Sequence, residues 1–489
     1  MRILLINPKP IGYTRSVSTP LGLLSIGSTL QSVGHHVRLY DRTVEKVSFE
    51  DVLTEETPGL IGISLVSVMS IKDTMLLVEE AKKRNIPVVI GGAFASCLPE
   101  NILNNMPADA VSLGEGELTW SELAQAYARE DKDLSAIEGL VYREKNGELI
   151  RTPDRPFADL GTLAPINWEL IDVEKYFQSS FGCQKMLYLY AAKGCPNSCS
   201  FCYNKMFHRS TYRKRPLYML TDEIEYLAKN YGLDGVYFAD ELWCRSRSDM
   251  RETCDALRTL DLDFKWGCQT RIGLFNEEDF RYMYDSGCRW VFFGVESGSE
   301  RILEKMNKHI RLERIPVDIT ACKKSGITPI ASFICGYPDE TQEDLKKTVE
   351  LIKKLDTTYI NLNFFALMPG SDAYYQMISE GRYSFPEDLR ELIGMKPVQK
   401  IEFRFSNIPD RELLVVRAWY MKRSFFSVSE ESNGVFVFAE KVVIDALKSI
   451  RTGSFAEFFF STFSAGTEFL SVMWYALMYP GIRKKYGLK

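Results

Sequence analysis

The chain predicts an α/β protein in three parts. A doubly wound parallel sheet comes first, a partial barrel of six β/α units follows, and a mainly helical segment ends the chain. Two rhythms and one break carry that reading. Short apolar runs alternate with helical patterns over residues 1–135, and the alternation returns over 186–385. Alternation of this kind produces a parallel sheet covered on both faces. Between the two, residues 136–185 are rich in Pro, Asp and Gly, as in Thr152-Pro153-Asp154-Arg155-Pro156, and read as a connector. A chain of 489 residues has room for about three domains.

In the first part the expected strands are Arg2–Asn7, His36–Tyr40, Leu60–Leu65, Pro87–Gly91 and Ala108–Leu113. The expected helices are Leu21–Val33, Ile71–Arg84, Pro99–Asn104 and Glu117–Ala128. Ligands in doubly wound folds sit beyond the carboxyl ends of the strands. Three of those ends carry Ser64-Leu65-Val66-Ser67, Gly91-Gly92-Ala93 and Gly114-Glu115-Gly116-Glu117. Glycine lets a backbone come close to a ligand, so three such ends together favour a ligand shelf. No Gly-x-Gly-x-x-Gly follows the first strand, which disfavours a nicotinamide dinucleotide site.

The connector carries a hairpin signal at Asn146-Gly147. In the second alternation the expected strands are Met186–Ala192, Gly235–Ala239, Phe264–Cys268, Trp290–Val295, Thr328–Cys335 and Tyr359–Phe365. Helical stretches such as Leu220–Asn230 and Gln342–Leu355 intervene. A barrel of this type places its site at the carboxyl ends of its strands. Residues 386–489 are rich in aromatics, with Phe425-Phe426, Phe458-Phe459-Phe460 and Trp474-Tyr475. They read as a helical substrate cap over the barrel, and an apolar wall there would suit an apolar or aromatic small molecule.

Charge excludes little but directs the reading. Lys+Arg 60 against Asp+Glu 65 gives a net charge of -5, so no nucleic-acid partner is expected. The basic run Lys205, His208, Arg209, Arg213, Lys214, Arg215 reads as a solvated loop. The most apolar stretch, Phe458 to Pro480, holds Glu468 in its middle, so membrane association is not expected. The N-terminal apolar run meets Pro8 too soon for a signal peptide, and a cytoplasmic location with reduced thiols is expected.

Among 11 cysteines, three cluster in Gly194-Cys195-Pro196-Asn197-Ser198-Cys199-Ser200-Phe201-Cys202. Thiolates suit zinc or iron–sulfur clusters. A closed zinc site needs a fourth ligand, which His208 could supply. The spacing is wrong for zinc ribbons, however, and the second pair of that pattern is absent. Cys244 and Cys335 lie near strand ends and read as buried free thiols.

The Cys-x3-Cys-x2-Cys spacing after the first barrel strand resembles the radical SAM superfamily. Thr19-Pro20-Leu21-Gly22-Leu23-Leu24, Gly34-His35-His36-Val37, Gly62-Ile63-Ser64, Val89-Ile90-Gly91-Gly92 and Leu113-Gly114-Glu115-Gly116-Glu117 resemble the Rossmann-like cobalamin-binding domain that precedes many such cores. The resemblance implies a 4Fe–4S cluster on Cys195, Cys199 and Cys202, with the fourth iron open to S-adenosylmethionine. It implies contacts to S-adenosylmethionine from Phe201, Tyr203, Asp240, Gln269, Arg271, Glu296, Ser297, Gly336 and Pro369. It implies contacts to cobalamin from Pro20, Leu21, Gly22, Ser64, Val66, Ser67, Gly91, Gly92, Gly114, Glu115 and Gly116.

Many cobalamin domains supply a histidine to cobalt from Asp-x-His-x-x-Gly. The histidines here are His35, His36, His208 and His309, and none has Asp two residues before it. The expectation is therefore base-off cobalamin with no protein His ligand, its dimethylbenzimidazole tail buried among Ser64, Gly91 and Gly114. The implied activity is methylation of an unactivated carbon, or of phosphorus, through a 5'-deoxyadenosyl radical and methylcobalamin. An electron donor such as flavodoxin or ferredoxin is implied as well. The alternative within enzymes is an oxidative cyclase or ring-rearranging enzyme without methyl transfer. The alternative of another class is a non-catalytic cobalamin sensor or carrier.

Overall fold

Residues 1–11, 17–129, 133–357, 359–396, 402–420 and 479–488 are described by the structure, a computed structural model. They fall into two units, Met1–Trp266 with Leu367–Met395 and Gly267–Ala366 with Lys396–Lys489.

The first unit opens with β1 (Arg2–Asn7), α1 (Leu21–Ser32), β2 (His36–Asp41), α2 (Phe49–Glu56) and β3 (Leu60–Ser64). It continues through α3 (Ile71–Lys83), β4 (Val88–Gly91), α4 (Ala93–Cys97), α5 (Pro99–Asn105), β5 (Ala110–Ser112) and α6 (Glu117–Tyr127). Ile3, Leu4, Leu5 and Ile6 are all buried, as a central strand covered on both faces requires. Burying each such side chain contributes about 1.5–3 kcal/mol. β1 is parallel to β2 and β3, and β4 is parallel to β3 and β5. α6 packs closely on this sheet: a Cβ at Gly62 would lie 2.4 Å from the Trp120 ring.

α2 and the pairing of β6 with β5 were not legible locally. α2 is capped by the Ser48 side chain, which accepts from Asp51 N, a short amphipathic helix in a segment with no long apolar rhythm. The hairpin at Asn146-Gly147 forms as β6 (Leu140–Arg143) and β7 (Leu149–Arg151). β6 then joins the first sheet antiparallel to β5, giving seven strands in the order β2-β1-β3-β4-β5-β6-β7.

The chain then reaches β8 (Gln178–Ser180), β9 (Cys183–Leu189), β10 (Ala192–Lys193), α7 (Asn204–Phe207), β11 (Arg213–Lys214), α8 (Leu217–Tyr231) and β12 (Gly235–Phe238). The first barrel strand begins earlier than expected, at Cys183, and breaks at Leu189. Asp240 causes the break: its carboxylate accepts from Ala191 N at 2.9 Å and also from Ala192 N. The chain then turns into a two-stranded ribbon, Ala192 opposite Lys214 and Lys193 opposite Arg213. The loop bearing Cys195, Cys199 and Cys202 hangs between the strands of that ribbon. β9 is parallel to β12.

α9 (Arg247–Arg258) follows β12 in the first unit; the second unit holds most of β13 (Lys265–Thr270), then α10 (Glu277–Asp285), β14 (Cys288–Glu296), α11 (Glu300–Lys305), α12 (Arg314–Lys324), β15 (Thr328–Cys335), α13 (Gln342–Lys354) and β16 (Tyr359–Phe364). β14, β15 and β16 run parallel, with an irregularity between Gly294 and Glu296. Reciprocal side-chain caps start α10 (Asn276 with Asp279) and α13 (Thr341 with Asp344). Of the C-terminal segment, residues 410–420 and Pro480–Lys485 are helical. The aromatic runs at 425–426, 458–460 and 474–475 lie outside the described residues.

Candidate functional site

A cavity of about 300 Å³ opens within the first unit, between two sets of strand ends. One wall comes from the first sheet: Leu21, Gly22, Ser64, Val66, Gly91, Gly92, Ser112, Gly114, Glu115 and Gly116. The other comes from the barrel strands and the cysteine loop: Tyr190, Lys193, Tyr203, Phe207, His208, Asp240 and Glu241. Of the residues expected at cobalamin, all but Pro20 and Ser67 line this space. Pro20 precedes α1, and the Ser67 side chain is turned to cap a short helix at Met69 N.

The glycines of the first wall divide by cause. A Cβ at Gly22 or Gly114 would meet nothing within 4 Å, so these positions border open space. At Gly92 (φ +98) it would lie 2.8 Å from Leu65 O, so the turn itself demands glycine. At Gly116 it would strike Ile26 at 2.7 Å, so that glycine serves core packing as well. Ser112 is buried at the back of the wall, and its hydroxyl has no partner among the described residues. A buried hydroxyl needs a partner, and a polar group entering the cavity would supply one. The small lining leaves room for a bound group, and this hydroxyl offers it a polar partner.

Cys195, Cys199 and Cys202 are free thiols of intermediate exposure on one loop. Asn197 Nδ2 donates to Cys195 Sγ at 3.2 Å, and Asn204 N to Cys202 Sγ at 3.5 Å. Asn204 Nδ2 also donates to Cys195 O at 2.7 Å, tying the ends of the loop together. Burial pushes the Cys202 thiol up to about 11, and the neighbouring Cys199 and Cys195 add to that. Among the described residues, no three His, Cys, Asp or Glu side chains converge on one ion position. A four-iron cluster takes its thiolates on separate irons. His208 is not free to complete a zinc site, because both of its ring nitrogens face carboxylates.

Those carboxylates belong to a charge network around the buried His208 that the sequence reading missed. His208 Nε2 lies 3.1 Å from Glu241 Oε1, and Nδ1 lies 3.4 Å from Glu115 Oε1. Arg213 pairs with Glu115. Lys193 Nζ is 2.7 Å from Glu117 Oε1 and 3.6 Å from Glu115 Oε2. Ser25 Oγ donates to Glu117 at 2.7 Å, and Gly194 N donates to Glu241 at 2.9 Å. Burial alone would lower the His208 pKa, but the two carboxylates outweigh it and raise it to about 9. Burial would raise Glu115, yet His208, Lys193 and Arg213 hold it at about 2. Asp240 is pushed well above the carboxylate range by complete burial.

The basic run is a solvated loop only in part: Lys205 and Arg209 are exposed, and the rest is half-buried or buried. His208 and Arg215 are buried, and Arg215 pairs with Glu223 at 2.8 Å. Lys205 meets Asp372 at 2.9 Å, Lys214 meets Glu252 at 3.4 Å, and Arg209 lies 3.8 Å from Asp154.

The residues expected at S-adenosylmethionine divide between the units. In the first, Tyr203 and Asp240 line the cavity, and Phe201 lies within the cysteine loop. Pro369 sits in the turn before Ser371 caps α14 (Asp372–Ser379). In the second, Gln269 is on β13 and Arg271 follows it. Arg271 is half-buried and pairs with no carboxylate among the described residues, which fits a guanidinium awaiting an anion. Glu296 ends β14 with its carboxylate 2.7 Å from Lys308 Nζ. Ser297 is fully buried, its hydroxyl 3.2 Å from Thr348 Oγ1 and accepting from Ser299 N. Gly336 (φ +84) donates its N–H to Glu340 at 2.6 Å. Cys244 and Cys335 are buried free thiols.

Two known families match the chain. The family model of the radical SAM superfamily matches residues 189–352, and that of the B12 binding domain matches residues 11–124. The chain is 30% identical to an uncharacterized methyltransferase of Pyrococcus horikoshii, over 82% of this chain and 88% of that one. It is 26% identical to the anaerobic magnesium-protoporphyrin IX monomethyl ester cyclase of Rubrivivax gelatinosus, over 87% and 78%. Its fold is like that of the radical S-adenosylmethionine methyltransferase TsrM from Kitasatospora setae, solved with cobalamin and a 4Fe–4S cluster. The TM-score is 0.65 at 21% identity, covering 78% of this chain and 75% of that one.

Proposed function

Because the chain belongs to the family of radical SAM enzymes that carry a B12 binding domain, we propose that it is a cobalamin-dependent methyltransferase. Its substrate is a small molecule methylated at an unactivated carbon or phosphorus. One observation carries the reading: a single cavity is walled on one side by the glycine shelf and on the other by residues that follow the third cysteine. Both cofactors then face one reaction space.

When bound, the cluster with S-adenosylmethionine supplies an adenosyl radical and the cobalamin supplies a methyl group. The chain's own residues do the rest. Cys195, Cys199 and Cys202 hold the cluster, and the Asn197 and Asn204 amides steady the thiolates by donating to sulfur. Arg271 receives the methionine carboxylate. The shelf residues admit the cobalamin tail, base-off and without a protein His ligand as the missing Asp-x-His-x-x-Gly implies. Tyr190, Tyr203 and Phe207 give the cavity an aromatic wall suited to an apolar or aromatic substrate.

Every cation of the 205–215 run faces a carboxylate of the chain itself, which supports a small-molecule substrate rather than a nucleic acid. No helix among the described residues is long and apolar enough to cross a membrane. We place the reaction in the cytoplasm, with a flavodoxin or ferredoxin as reductant.

The reading is tested with methyl-labelled S-adenosylmethionine and anaerobically reconstituted protein. Label recovered in the substrate, with 5'-deoxyadenosine formed, is the expected result. 5'-Deoxyadenosine with no label in product would favour the second reading, a cyclase like the Rubrivivax relative.

A further inference from the structure

His208 joins the shelf to the cysteine loop, beside the pairs that Lys193 and Arg213 make with Glu115. His208 lies six residues beyond Cys202, at the end of α7. It reaches Glu115 on the glycine turn of the first sheet, 3.4 Å away, and Glu241 at the end of the second barrel strand, 3.1 Å away. Glu241 in turn accepts from Gly194 N, the residue before the first cysteine. Both ends of the cysteine loop are therefore referred to this imidazole, and so is the shelf.

The backbone around it is held in costly shapes. Arg209 (φ 49) and Ser210 (φ 52) are consecutive non-glycine residues in the left-handed region. Such residues persist only where their surroundings over-determine them. Thr211 N and Oγ1 both donate to His208 O, at 2.9 and 2.7 Å, closing the turn. At Gly194 (φ +82) a Cβ would lie 2.4 Å from Thr211 O and 3.1 Å from the His208 Cβ. The loop start, the turn and the imidazole thus pack as one piece, and Glu115 fastens that piece to the shelf.

We propose that His208 is a positioning residue that couples the two cofactor sites, so that the occupied cysteine loop raises the affinity of the shelf for cobalamin, and cobalamin the stability of the cluster. The inference rests on the cofactor assignment above. Whichever cofactor binds first pins Glu115, His208 and Glu241 in the arrangement the other needs. Linkage then requires the coupling to be reciprocal.

The test titrates the full-length chain with hydroxocobalamin, followed by corrin absorbance, before and after anaerobic reconstitution with iron and sulfide. The ratio of the two dissociation constants is the coupling factor. The expected factor for the natural chain is about fivefold or more, in the usual range of site–site coupling. In His208→Gln and in Glu115→Gln the ratio falls towards one, whatever each change does to the two separate affinities. A residue that only stabilised the fold would weaken both titrations alike and leave the ratio unchanged, and that result overturns the proposal. A factor of one in the natural chain overturns it too. Failure of the natural chain to bind cobalamin at all would instead overturn the functional reading on which it rests. Glu115→Gln keeps the shape of the side chain, so the ratio can be read there if His208→Gln fails to fold.

Discussion

His208 Nε2 lies 3.1 Å from Glu241 Oε1, while the opposite ring nitrogen faces Glu115. An imidazole between two carboxylates is held as the cation. The groups facing it are these two acids and the rings of Phe157 and Phe207; Arg213 and Lys193 stand behind Glu115. The His208 pKa is raised to about 9 from 6.5. Its stabilising contribution is therefore complete below about pH 6.5 and is lost as pH rises towards 9. The shift corresponds to a contribution on the order of 3 kcal/mol, shared with Glu115 because the two titrate together. Glu115, lowered to about 2 from 4.5, adds an acid limb that is lost as pH falls from 4.5 towards 2. Urea unfolding of the cofactor-free chain should show a lower midpoint at about pH 9.5 than at about pH 6, and His208→Gln should flatten that difference. An unchanged midpoint in the natural chain would refute the charged imidazole.

Gly22 offers a cleaner test of the shelf. It lies in α1, is exposed, has no positive φ, and a Cβ there meets nothing within 4 Å. Gly22→Ala should stabilise the cofactor-free chain by about 0.5–1 kcal/mol, because alanine loses less backbone entropy in a helix. The added methyl points into space that the cofactor would use, so cobalamin affinity should fall. Gly92→Ala should behave differently. Its φ of +98 and the 2.8 Å approach to Leu65 O make it destabilising with or without cofactor. Thermal melts of both apo variants, beside hydroxocobalamin titrations, separate the two cases.

What could be read from the sequence follows the range of the forces involved. β1 and β15 have the bounds expected of them, since a short apolar run between breakers is a local signal. The place of β6 was hidden, because it depends on pairing Ala110 with Tyr142 across α6. The three cysteines were plain, because their spacing is itself the signal. The charge network was not: Glu115, Lys193, His208 and Glu241 are ordinary surface residue types until the fold gathers the other three around the buried His208. Asp240 shows the same limit. It ends the second barrel strand as expected, but its carboxylate also breaks β9 by binding Ala191 N and Ala192 N, a contact no spacing reveals.

The cysteines should separate sharply by substitution. Cys195→Ala, Cys199→Ala and Cys202→Ala should each prevent stable cluster formation, measured as iron and sulfide bound per chain after reconstitution. Cys244→Ser and Cys335→Ser should retain iron, because both thiols are buried away from any ligand role, Cys335 Sγ lying 3.4 Å from Asn363 O. They should instead lose about 1–3 kcal/mol of stability, the cost of placing a hydroxyl in an apolar site. Loss of iron in either serine variant would mean that the cluster draws on a thiol outside the loop.

Glu296 and Lys308 raise the remaining question of whether a rim carboxylate holds cofactor or holds the fold. Their 2.7 Å contact is buried and lies over Gly294, where a Cβ would come within 2.5 Å of Glu296 Oε1 and 2.8 Å of Lys308 Nζ. Glu296 also has φ 68, a strained value for a residue with a side chain. Lys308→Met leaves that carboxylate buried without its cation and should cost about 3–5 kcal/mol. Glu296→Gln with Lys308→Met should cost less than the sum of the single changes, because the double variant strands no charge. If Glu296 also accepts from S-adenosylmethionine, then Glu296→Gln, which keeps the shape of the side chain, should weaken binding of that ligand to reconstituted protein by more than its effect on stability predicts. If the ion pair is its whole role, affinity for S-adenosylmethionine should follow stability alone through all three variants. Calorimetric titration of the reconstituted variants beside urea unfolding distinguishes the two outcomes.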